Sequence, residues 1–280
     1  MGKVIVNGEL LSADDAQAHV SVLNKDMQLG LSVFETMLAV DGAIDGFDLH
    51  LVRFQDGLDR LGLEVSDFDL LEESIDQLLS SNDLMDKRAK VRMTAMGELC
   101  WIEAQEVDER AESCSVILSE FVLNERRATA GIKCGSYADN FLALHEARNA
   151  DADEVIFLNT VGNVAEAATA NVFLVKDGVL ITPHLESGCL PGVTRALVME
   201  RAEAAGIEIQ DRAVSLEELL EADEVFLTNT QIGVQAVERI GQLEMNQDAS
   251  ELTQAVRALY FLGRKGEWFI YGYEYIHCKN

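Results

Sequence analysis

The chain has 280 residues, of which 48% are hydrophobic and 25% charged, a composition typical of a globular protein with a sizeable core. Its formal net charge of −27 argues against nucleic-acid and anionic-membrane partners, because both bind basic surfaces. The sequence contains no run of about 18 apolar residues, so it predicts no membrane span. Its first residues do not resemble a signal peptide, and we therefore expect a cytoplasmic protein.

The five cysteines and five histidines predict neither a disulfide framework nor a metal site. The number of cysteines is odd, no Cys-x-x-Cys pair occurs, and the histidines are scattered without the spacing of metal ligands. We therefore expect reduced thiols, as is usual in cytoplasmic proteins.

Strands and helices alternate in the first part of the chain. Apolar residues recur at every second position in some segments and at three- and four-residue spacing in others. Asn7-Gly8 is a typical hairpin turn, and Gly62 is a typical residue after a helix. The predicted strands are 4–6, 10–11, 33–40, 87–96 and 115–118, and the predicted helices are 48–61 and 66–79.

The second half contains two look-alike segments, Ala152-Asp153-Glu154-Val155 and Ala222-Asp223-Glu224-Val225. Each is predicted to enter a short buried strand that ends in Asn-Thr. Lys176-Asp177-Gly178 predicts a hairpin between strands 171–175 and 179–182. Helices are predicted over 137–149 and 193–205.

The mixture of strands and helices in both halves predicts an α+β (mixed α/β) fold of two domains. Residues 119–130 are more polar than their surroundings and form the predicted linker. We assign residues 1–122 to a smaller N-terminal domain and residues 123–280 to a larger C-terminal domain.

The start of the helix over 193–205 could bind an anion. Pro191 suits a helix start, and Gly192 would let a ligand approach the backbone closely. Free N–H groups and the positive end of the helix dipole favour a phosphate group there. Taken alone, the same residues are better explained as an ordinary helix start.

Three charged residues stand in contexts that could be functional. Lys133 lies between Ile132 and Cys134, where partial burial would favour the neutral amine that reacts with carbonyls. Glu166 lies among alanines, and a buried carboxylate needs a partner. Arg53 lies on the helix over 48–61, and its fork of donors suits phosphate. Taken alone, each is better explained as a solvated or salt-bridged surface residue.

Together and in this order, these residues resemble the class IV (fold type IV) pyridoxal-phosphate enzymes. That family includes branched-chain aminotransferases, D-amino acid aminotransferases and 4-amino-4-deoxychorismate lyases. The likeness covers residues 3–245. The matching motifs are Asn7-Gly8, Gly30-x-x-Val33-Phe34-Glu35-Thr36, His50-x-x-Arg53, Lys133-x-x-Ser136-Tyr137, Glu154, Glu166-x-x-x-x-Asn171-Val172-Phe173, Thr182-Pro183, Leu190-Pro191-Gly192-Val193-Thr194-Arg195 and Ala222-Asp223-Glu224-Val225-Phe226.

The resemblance implies a role for each matching residue. Lys133 would be the Schiff-base lysine for pyridoxal 5'-phosphate, and Glu166 would pair with the pyridine nitrogen. The phosphate would be bound by Arg53, Gly192, Val193, Thr194 and Thr230. The resemblance also implies a barrel-like sheet in the C-terminal domain, which would carry the lysine, and a cofactor between the domains. It further implies a homodimer that acts on small amino and oxo acids.

Phe34 and Arg92 are the residues expected on the substrate side. Arg88, Lys90 and Arg92 fall on one face of the strand over 87–96. A related strand supplies a carboxylate-binding arginine in branched-chain enzymes, which favours Arg92. The alternative is that this basic stripe is the solvent face of an edge strand.

The resemblance favours an aminotransferase that transfers an amino group between an amino acid and a 2-oxo acid. A 4-amino-4-deoxychorismate lyase, which forms 4-aminobenzoate and pyruvate, is the alternative. Loop 97–103 has no basic residue, which argues against a D-amino acid enzyme, and Leu227-Thr228-Asn229-Thr230 replaces the Gly-Thr-Gly-Thr turn of branched-chain enzymes. Two further departures are Gly30-Leu31-Ser32, where many members have Gly-Asp-Gly, and Ala167, where many have glycine.

A second alternative is a protein that binds the cofactor without catalysis. The presence of Lys133, Glu166 and Arg53 together argues against it. Residues from about 250 to the end of the chain match no part of the family pattern.

Overall fold

The computed structural model describes residues 2–65, 70–245 and 251–264. By its contacts the chain divides into two compact units. One unit comprises Met1–Glu109 with Ile132–Tyr137, and the other comprises Arg110–Gly131 with Ala138–Asn280. Both contain strands and helices, so the predicted mixed α/β fold is confirmed.

The first unit is built on a six-stranded antiparallel sheet in the order β2-β1-β6-β5-β3-β4. Its strands are β1 (Lys3–Val6), β2 (Glu9–Ser12), β3 (Val33–Val40), β4 (Ala43–Ile44), β5 (Arg88–Met96) and β6 (Leu99–Glu106). Its helices are α1 (Lys25–Leu29), α2 (Phe47–Leu61) and α3 (Leu71–Ser81), and Ala16–Ala18 forms a 3₁₀ turn.

Two helices cover one face of this sheet, because their apolar residues recur at helical spacing. Phe54 and Leu58 of α2 and Ile75 and Leu78 of α3 are buried in one cluster with alternate residues of β3, β5 and β6. Full burial of each such side chain stabilises the fold by about 1.5–3 kcal/mol. Gly57 permits the close approach of α2 to β3, since a Cβ there would lie 2.8 Å from Cγ1 of Val33.

The helix predicted over 48–61 is confirmed as α2. The helix predicted over 66–79 corresponds to α3, and its predicted first residues, 66–69, lie outside the described residues. Strand β5 lies between β6 and β3, in the interior of the sheet. The alternative that the basic stripe belongs to an edge strand is therefore wrong.

The second unit contains a nine-stranded sheet that follows the path β12-β11-β10-β13-β14-β7-β8-β9, with β15 paired to β14. Strand β9 also contacts β10 and β11, so the sheet is strongly curved, as the barrel-like prediction requires. The strands are β7 (Ser113–Leu123), β8 (Glu154–Asn159), β9 (Val164–Ala167), β10 (Asn171–Lys176), β11 (Val179–Pro183), β12 (Ile209–Arg212), β13 (Glu224–Asn229), β14 (Gly233–Ile240) and β15 (Leu243–Glu244). The helices are α4 (Ala138–Asn149), α5 (Val193–Ala204), α6 (Leu216–Leu220) and α7 (Glu251–Arg264), and Leu185–Ser187 forms a 3₁₀ turn.

Helices α5 and α7 pack together against β13 and β14. Between them and the sheet, Phe173 and Phe226 stack with their ring centroids 4.9 Å apart. The helices predicted over 137–149 and 193–205 and the hairpin over 171–182 are confirmed within a residue.

The two look-alike segments share a hydrogen-bonding pattern in which the aspartate side chain accepts a backbone N–H group. Oδ2 of Asp153 accepts the N–H of Ser115 at 2.8 Å, and Oδ2 of Asp223 accepts the N–H of Asp177 at 2.8 Å. The buried glutamate that follows each aspartate accepts backbone N–H groups from a segment distant in sequence, at Thr169 in one case and at Leu252 and Thr253 in the other. Both segments enter the strands that the sequence predicted.

Two segments belong to other parts of the fold than the sequence predicted. Residues 119–123, predicted to belong to the linker, continue β7, and Val122 and Leu123 pair with β8. Residues 132–137, assigned to the second domain, join the first unit because the N–H of Phe34 donates to the carbonyl of Lys133 at 2.9 Å. The domain assignment itself, 1–122 and 123–280, stays a prediction.

Within the described part of the chain, no helix combines the length and the apolar character that crossing a membrane requires.

Candidate active-site residues

The predicted site residues fall into two groups, one in each unit. The first unit contains Phe34, Arg53, Arg92 and Lys133. The second unit contains Glu166, Gly192, Val193, Thr194 and Thr230.

Lys133 is fixed through its main chain to the start of β3. Its carbonyl accepts the N–H of Phe34, and its neighbour Cys134 forms an antiparallel bridge with Val33. The next residue, Gly135, donates its N–H to the carbonyl of Ser32 at 2.8 Å. This short pairing directs the lysine to the beginning of the strand, where Nζ lies 4.5 Å from the centroid of the Phe34 ring.

Arg92 lies against the same aromatic ring. Its guanidinium carbon is 3.8 Å from the centroid of Phe34, a close cation–π contact. Tyr137 meets Phe34 edge to face at 5.9 Å. Burial lowers the pKa of Arg92, and the charge of Glu103, whose Oε1 lies 3.9 Å from Arg92 Nε, opposes the shift. The structure thus brings Lys133, Phe34 and Arg92 together, with both basic side chains at one ring.

Arg53 projects from α2 toward β3, where its guanidinium is hydrogen-bonded to Glu35. Arg53 Nε donates to Glu35 Oε1 and Arg53 Nη2 donates to Glu35 Oε2, both at 2.7 Å. His50, one helical turn earlier, places Nδ1 2.8 Å from Glu35 Oε2. Burial raises the pKa of Glu35, but the charge of Arg53 and the hydrogen bonds from Arg53 and His50 outweigh burial and lower it to about 2. From the sequence, Glu35 and His50 were recognised only as parts of motifs and were given no role.

Glu166 is buried on β9 and is held by the loop that precedes α5. Its Oε2 accepts the N–H of Leu190 at 2.8 Å. Its Oε1 lies 3.8 Å from Nη2 of Arg127. Arg127 belongs to the polar segment 119–130, where the sequence offered no signal beyond charge.

The start of α5 is shaped to accept a ligand at its backbone. Gly192 is the N-cap of the helix and, among the described residues, no side chain caps it. A Cβ at Gly192 would lie 1.9 Å from Oδ1 of Asn171, so glycine is required there. Asn171 also donates from Nδ2 to the carbonyl of Leu190 at 2.8 Å. Val193 and Thr194 are buried at the first turn, where N–H groups have no intrahelical acceptor.

Thr228 and Thr230 lie where β13 ends. Thr228 is paired across the sheet with Asn171, so both side chains are on one face. Thr228 Oγ1 is buried and, within the described residues, has no hydrogen-bond partner. Thr230 lies in the following turn, which Asn229 holds by accepting the N–H groups of Gln231 and Ile232. Thr230 is one of the predicted phosphate-binding residues, whereas no role was predicted for Thr228.

The turn after Glu166 is held by Glu154. The carboxylate of Glu154 accepts the N–H of Thr169 at 3.2 Å and its hydroxyl at 2.5 Å. Burial raises the pKa of Glu154, and hydrogen bonds from Thr169, Val155 and Ala168 oppose the shift. Asn140 fixes the same turn by donating to the carbonyl of Ala168 at 2.8 Å.

Residues 32–240 match the family described as amino-transferase class IV. The chain belongs to the class IV aminotransferase family. It is 32% identical over 275 residues to the aminodeoxychorismate lyase of Bacillus subtilis, covering 92% of this chain and 93% of that protein.

Solved structures of class IV aminotransferases share the fold. The branched-chain aminotransferase of Thermoproteus uzoniensis, solved with norvaline, superposes with a TM-score of 0.89 at 25% identity, covering 95% of each chain. The T.th. branched-chain amino acid aminotransferase, solved with pyridoxamine 5'-phosphate, has a TM-score of 0.88 at 27% identity, again covering 95% of each chain.

The family and fold predicted from the motifs are confirmed, as is the cofactor class, since class IV aminotransferases use pyridoxal phosphate. The residues present fit such a group. An uncapped helix start suits phosphate, a buried carboxylate suits a protonated ring nitrogen, and Thr228 offers a buried hydroxyl. The roles of the individual residues stay predictions.

Proposed function

We propose that this protein is a pyridoxal-phosphate-dependent aminotransferase that transfers an amino group between an amino acid and a 2-oxo acid. The observation that carries the proposal lies within the second unit. Glu166 is hydrogen-bonded to Leu190, in the loop that leads to the uncapped start of α5. The hydrogen bond therefore links a carboxylate that suits a cationic ring nitrogen to a helix start that suits a phosphate group.

Different residues of the chain would bind the phosphate and the ring nitrogen of the cofactor. Arg53, the N–H groups of Val193 and Thr194 after Gly192, and the hydroxyl of Thr230 would hold the phosphate. Glu166 would keep a proton on the ring nitrogen. When bound, pyridoxal phosphate supplies an electron sink that stabilises negative charge at the substrate Cα.

Lys133 would both carry the cofactor and move the proton at the substrate Cα. An amine released from its covalent bond can act as general base and then as general acid, provided that it stays within reach of that carbon. Pairing of the Lys133 main chain with β3 supports this role, because it restricts where the amine can go.

Arg92 and Phe34 would bind the substrate. A guanidinium is well matched to a carboxylate, and the Phe34 ring beneath Arg92 restricts its direction. The guanidinium of Arg92 also attracts an anionic substrate to a protein whose net charge is strongly negative. We therefore expect substrates that bear a carboxylate near the reacting carbon.

An absorbance titration tests the proposal directly. Purified protein with added pyridoxal phosphate should develop a visible band that Lys133→Ala abolishes, and L-glutamate should bleach it with formation of an equal amount of 2-oxoglutarate. A protein that shows no band would contradict the assignment of Lys133. A band that L-glutamate leaves unchanged would contradict glutamate as the amino donor.

A second candidate function is 4-amino-4-deoxychorismate lyase, favoured by the 32% identity to the Bacillus subtilis enzyme. Both reactions begin by removing the same Cα proton, so Lys133 and Glu166 would serve either one. Pyruvate release from aminodeoxychorismate discriminates between them. Steady pyruvate formation, together with failure to produce 2-oxoglutarate from L-glutamate, would favour the lyase.

Binding without catalysis is the remaining alternative. It would show as a visible band that neither amino acids nor aminodeoxychorismate change. The presence of Glu166 along with Lys133 and Arg53 argues against it, because a carboxylate that keeps the ring nitrogen protonated serves the electron sink that catalysis needs.

We also propose that the protein is a cytoplasmic homodimer. The segment around α1 exposes apolar side chains, with Val22, Leu23 and Leu29 each about three-quarters accessible or more. A second copy could cover them, and light scattering of wild type and Leu23→Ser would test this.

A further inference from the structure

We propose that Glu35 and His50 are positioning residues that hold the guanidinium of Arg53 in one orientation for a phosphate group. The inference rests on the proposed role of Arg53 and adds two residues behind it. All three belong to the first unit, on β3 and α2.

Glu35 lies on the apolar side of its strand. Alternation places it with Val33, Met37 and Ala39, which are all buried in the core between the sheet and its helices. Glu35 itself is completely buried. A carboxylate in such a place is strongly destabilising unless charged partners surround it, so its partners indicate its purpose.

The partners form a fork that leaves the guanidinium little freedom. Two parallel hydrogen bonds of 2.7 Å join Arg53 Nε and Nη2 to the two oxygens of Glu35. This bidentate arrangement fixes both the plane and the direction of the group. An arginine that is held before its ligand arrives loses less side-chain freedom on binding, and the ligand binds more tightly.

The side chains of Glu35, His50 and Arg53 differ in their exposure to solvent. The side chains of Glu35 and His50 are completely buried, whereas that of Arg53 remains 9% accessible. Arg53 is thus the member that a ligand can reach. If the purpose were stability alone, an apolar pair of similar volume would serve as well or better, because buried ion pairs seldom add net stability.

His50 completes the arrangement from the other side of the carboxylate. Its Nδ1 lies 2.8 Å from Glu35 Oε2, and a carboxylate can only accept, so Nδ1 carries the proton. Its Nε2 is buried and has no hydrogen-bond partner among the described residues. Burial lowers the pKa of His50, and the charges of Arg53 and Lys133 lower it further against the opposing effect of Glu35. His50 is therefore a neutral donor that fixes Glu35, and no proton transfer is needed from it.

Binding of two ligands that differ only in phosphate tests the proposal. Dissociation constants for pyridoxal phosphate and for pyridoxal would be measured on wild type, Arg53→Gln, Glu35→Gln, His50→Leu and His50→Asn. Arg60→Gln, which removes an exposed charge from the same helix, is the matched control. The ratio of the two constants reports phosphate recognition, and a merely structural defect would weaken both ligands alike.

Glu35→Gln and His50→Leu should each reduce the preference for pyridoxal phosphate over pyridoxal by about tenfold, the value of one charge-assisted hydrogen bond. His50→Asn should recover most of it, since an amide N–H can replace Nδ1–H. Arg60→Gln should match wild type. If Arg53→Gln leaves the preference unchanged, the phosphate role of Arg53 fails. If Arg53→Gln reduces it but Glu35→Gln and His50→Leu do not, the positioning role fails.

Folding is followed in parallel by thermal unfolding. Should Glu35→Gln not fold, the His50 pair decides, because both His50 variants keep the Arg53–Glu35 fork. Equal preference for phosphate in His50→Leu and His50→Asn would then overturn the role of His50 in the cluster.

Discussion

The N–H of Leu190 donates a hydrogen bond of 2.8 Å to Oε2 of Glu166, two residues before Gly192 begins α5. A carboxylate on β9 and the start of a helix are thereby tied together. Because Glu154 and Asn140 hold the turn that follows β9, the position of Glu166 is fixed from both sides. Changes at Glu166 should therefore affect chemistry without disturbing the surrounding backbone.

Replacing Glu166 by Gln should lower kcat/KM by about 100-fold or more, the range seen when one preorganised electrostatic partner is removed. The amide can still accept the Leu190 N–H but cannot hold a proton on a ring nitrogen. Steady-state kinetics with the active substrate pair measures the effect. Glu186→Gln, a fully exposed glutamate of the same unit, should behave as wild type. Near-normal turnover by Glu166→Gln would show that this carboxylate is not the ring-nitrogen partner.

Arg127→Gln should tighten the binding of pyridoxal phosphate by up to about fivefold. The guanidinium lies 3.8 Å from Glu166 Oε1 and partly neutralises it, so its loss leaves more negative charge for a protonated ring. The effect is small because the Arg127 side chain is one-third exposed and screened. Fluorescence titration would measure it, with the exposed neighbour Arg126→Gln as control. Weaker binding by Arg127→Gln would instead mean that Arg127 holds Glu166 or the ligand in place.

Sequence pattern predicted most of the elements but not the meeting of Glu35 with Arg53. The apolar alternation of residues 33–40 predicts β3, and helical spacing predicts α2. The burial of Glu35 on β3 against Arg53 on α2 depends on tertiary packing, and neither sequence pattern predicts which face of the strand contacts which face of the helix. The signal was present only as an anomaly, a glutamate on the apolar face of a strand.

The limits of the sequence prediction are equally clear at β7. Its last residues, 119–123, are mostly exposed and polar enough to resemble a linker, and its pairing with β8 shifts register between Leu118 and Val122. An irregular strand loses the period-two signal on which the prediction depends. Lys133 was placed in the second domain for a related reason, because its pairing with β3 spans about a hundred residues of sequence.

Arg92→Gln should raise the KM for a carboxylate-bearing substrate by about tenfold or more and change kcat much less, because a charged hydrogen bond is lost from binding. Arg92→Lys should fall in between, since an ammonium keeps the charge but loses the planar stacking on Phe34. Lys87→Gln, which removes an exposed ion pair with Glu106, is the control. An unchanged KM in Arg92→Gln would exclude Arg92 from the substrate site.

The buried fork of Glu35 should also govern acid stability. The pKa of Glu35 falls from its usual 4.5 to about 2, so folding favours its ionised form. The stabilisation is therefore fully present above pH 4.5 and is lost as the pH falls toward 2, amounting to about 3 kcal/mol over that window. Urea unfolding between about pH 2 and 7 should show a steep loss for wild type and a shallower one for Glu35→Gln, which has no carboxylate to protonate. Asp56→Asn, an exposed acid on α2, should keep the wild-type slope. Parallel curves for wild type and Glu35→Gln would mean that the fork is not held by an ionised carboxylate.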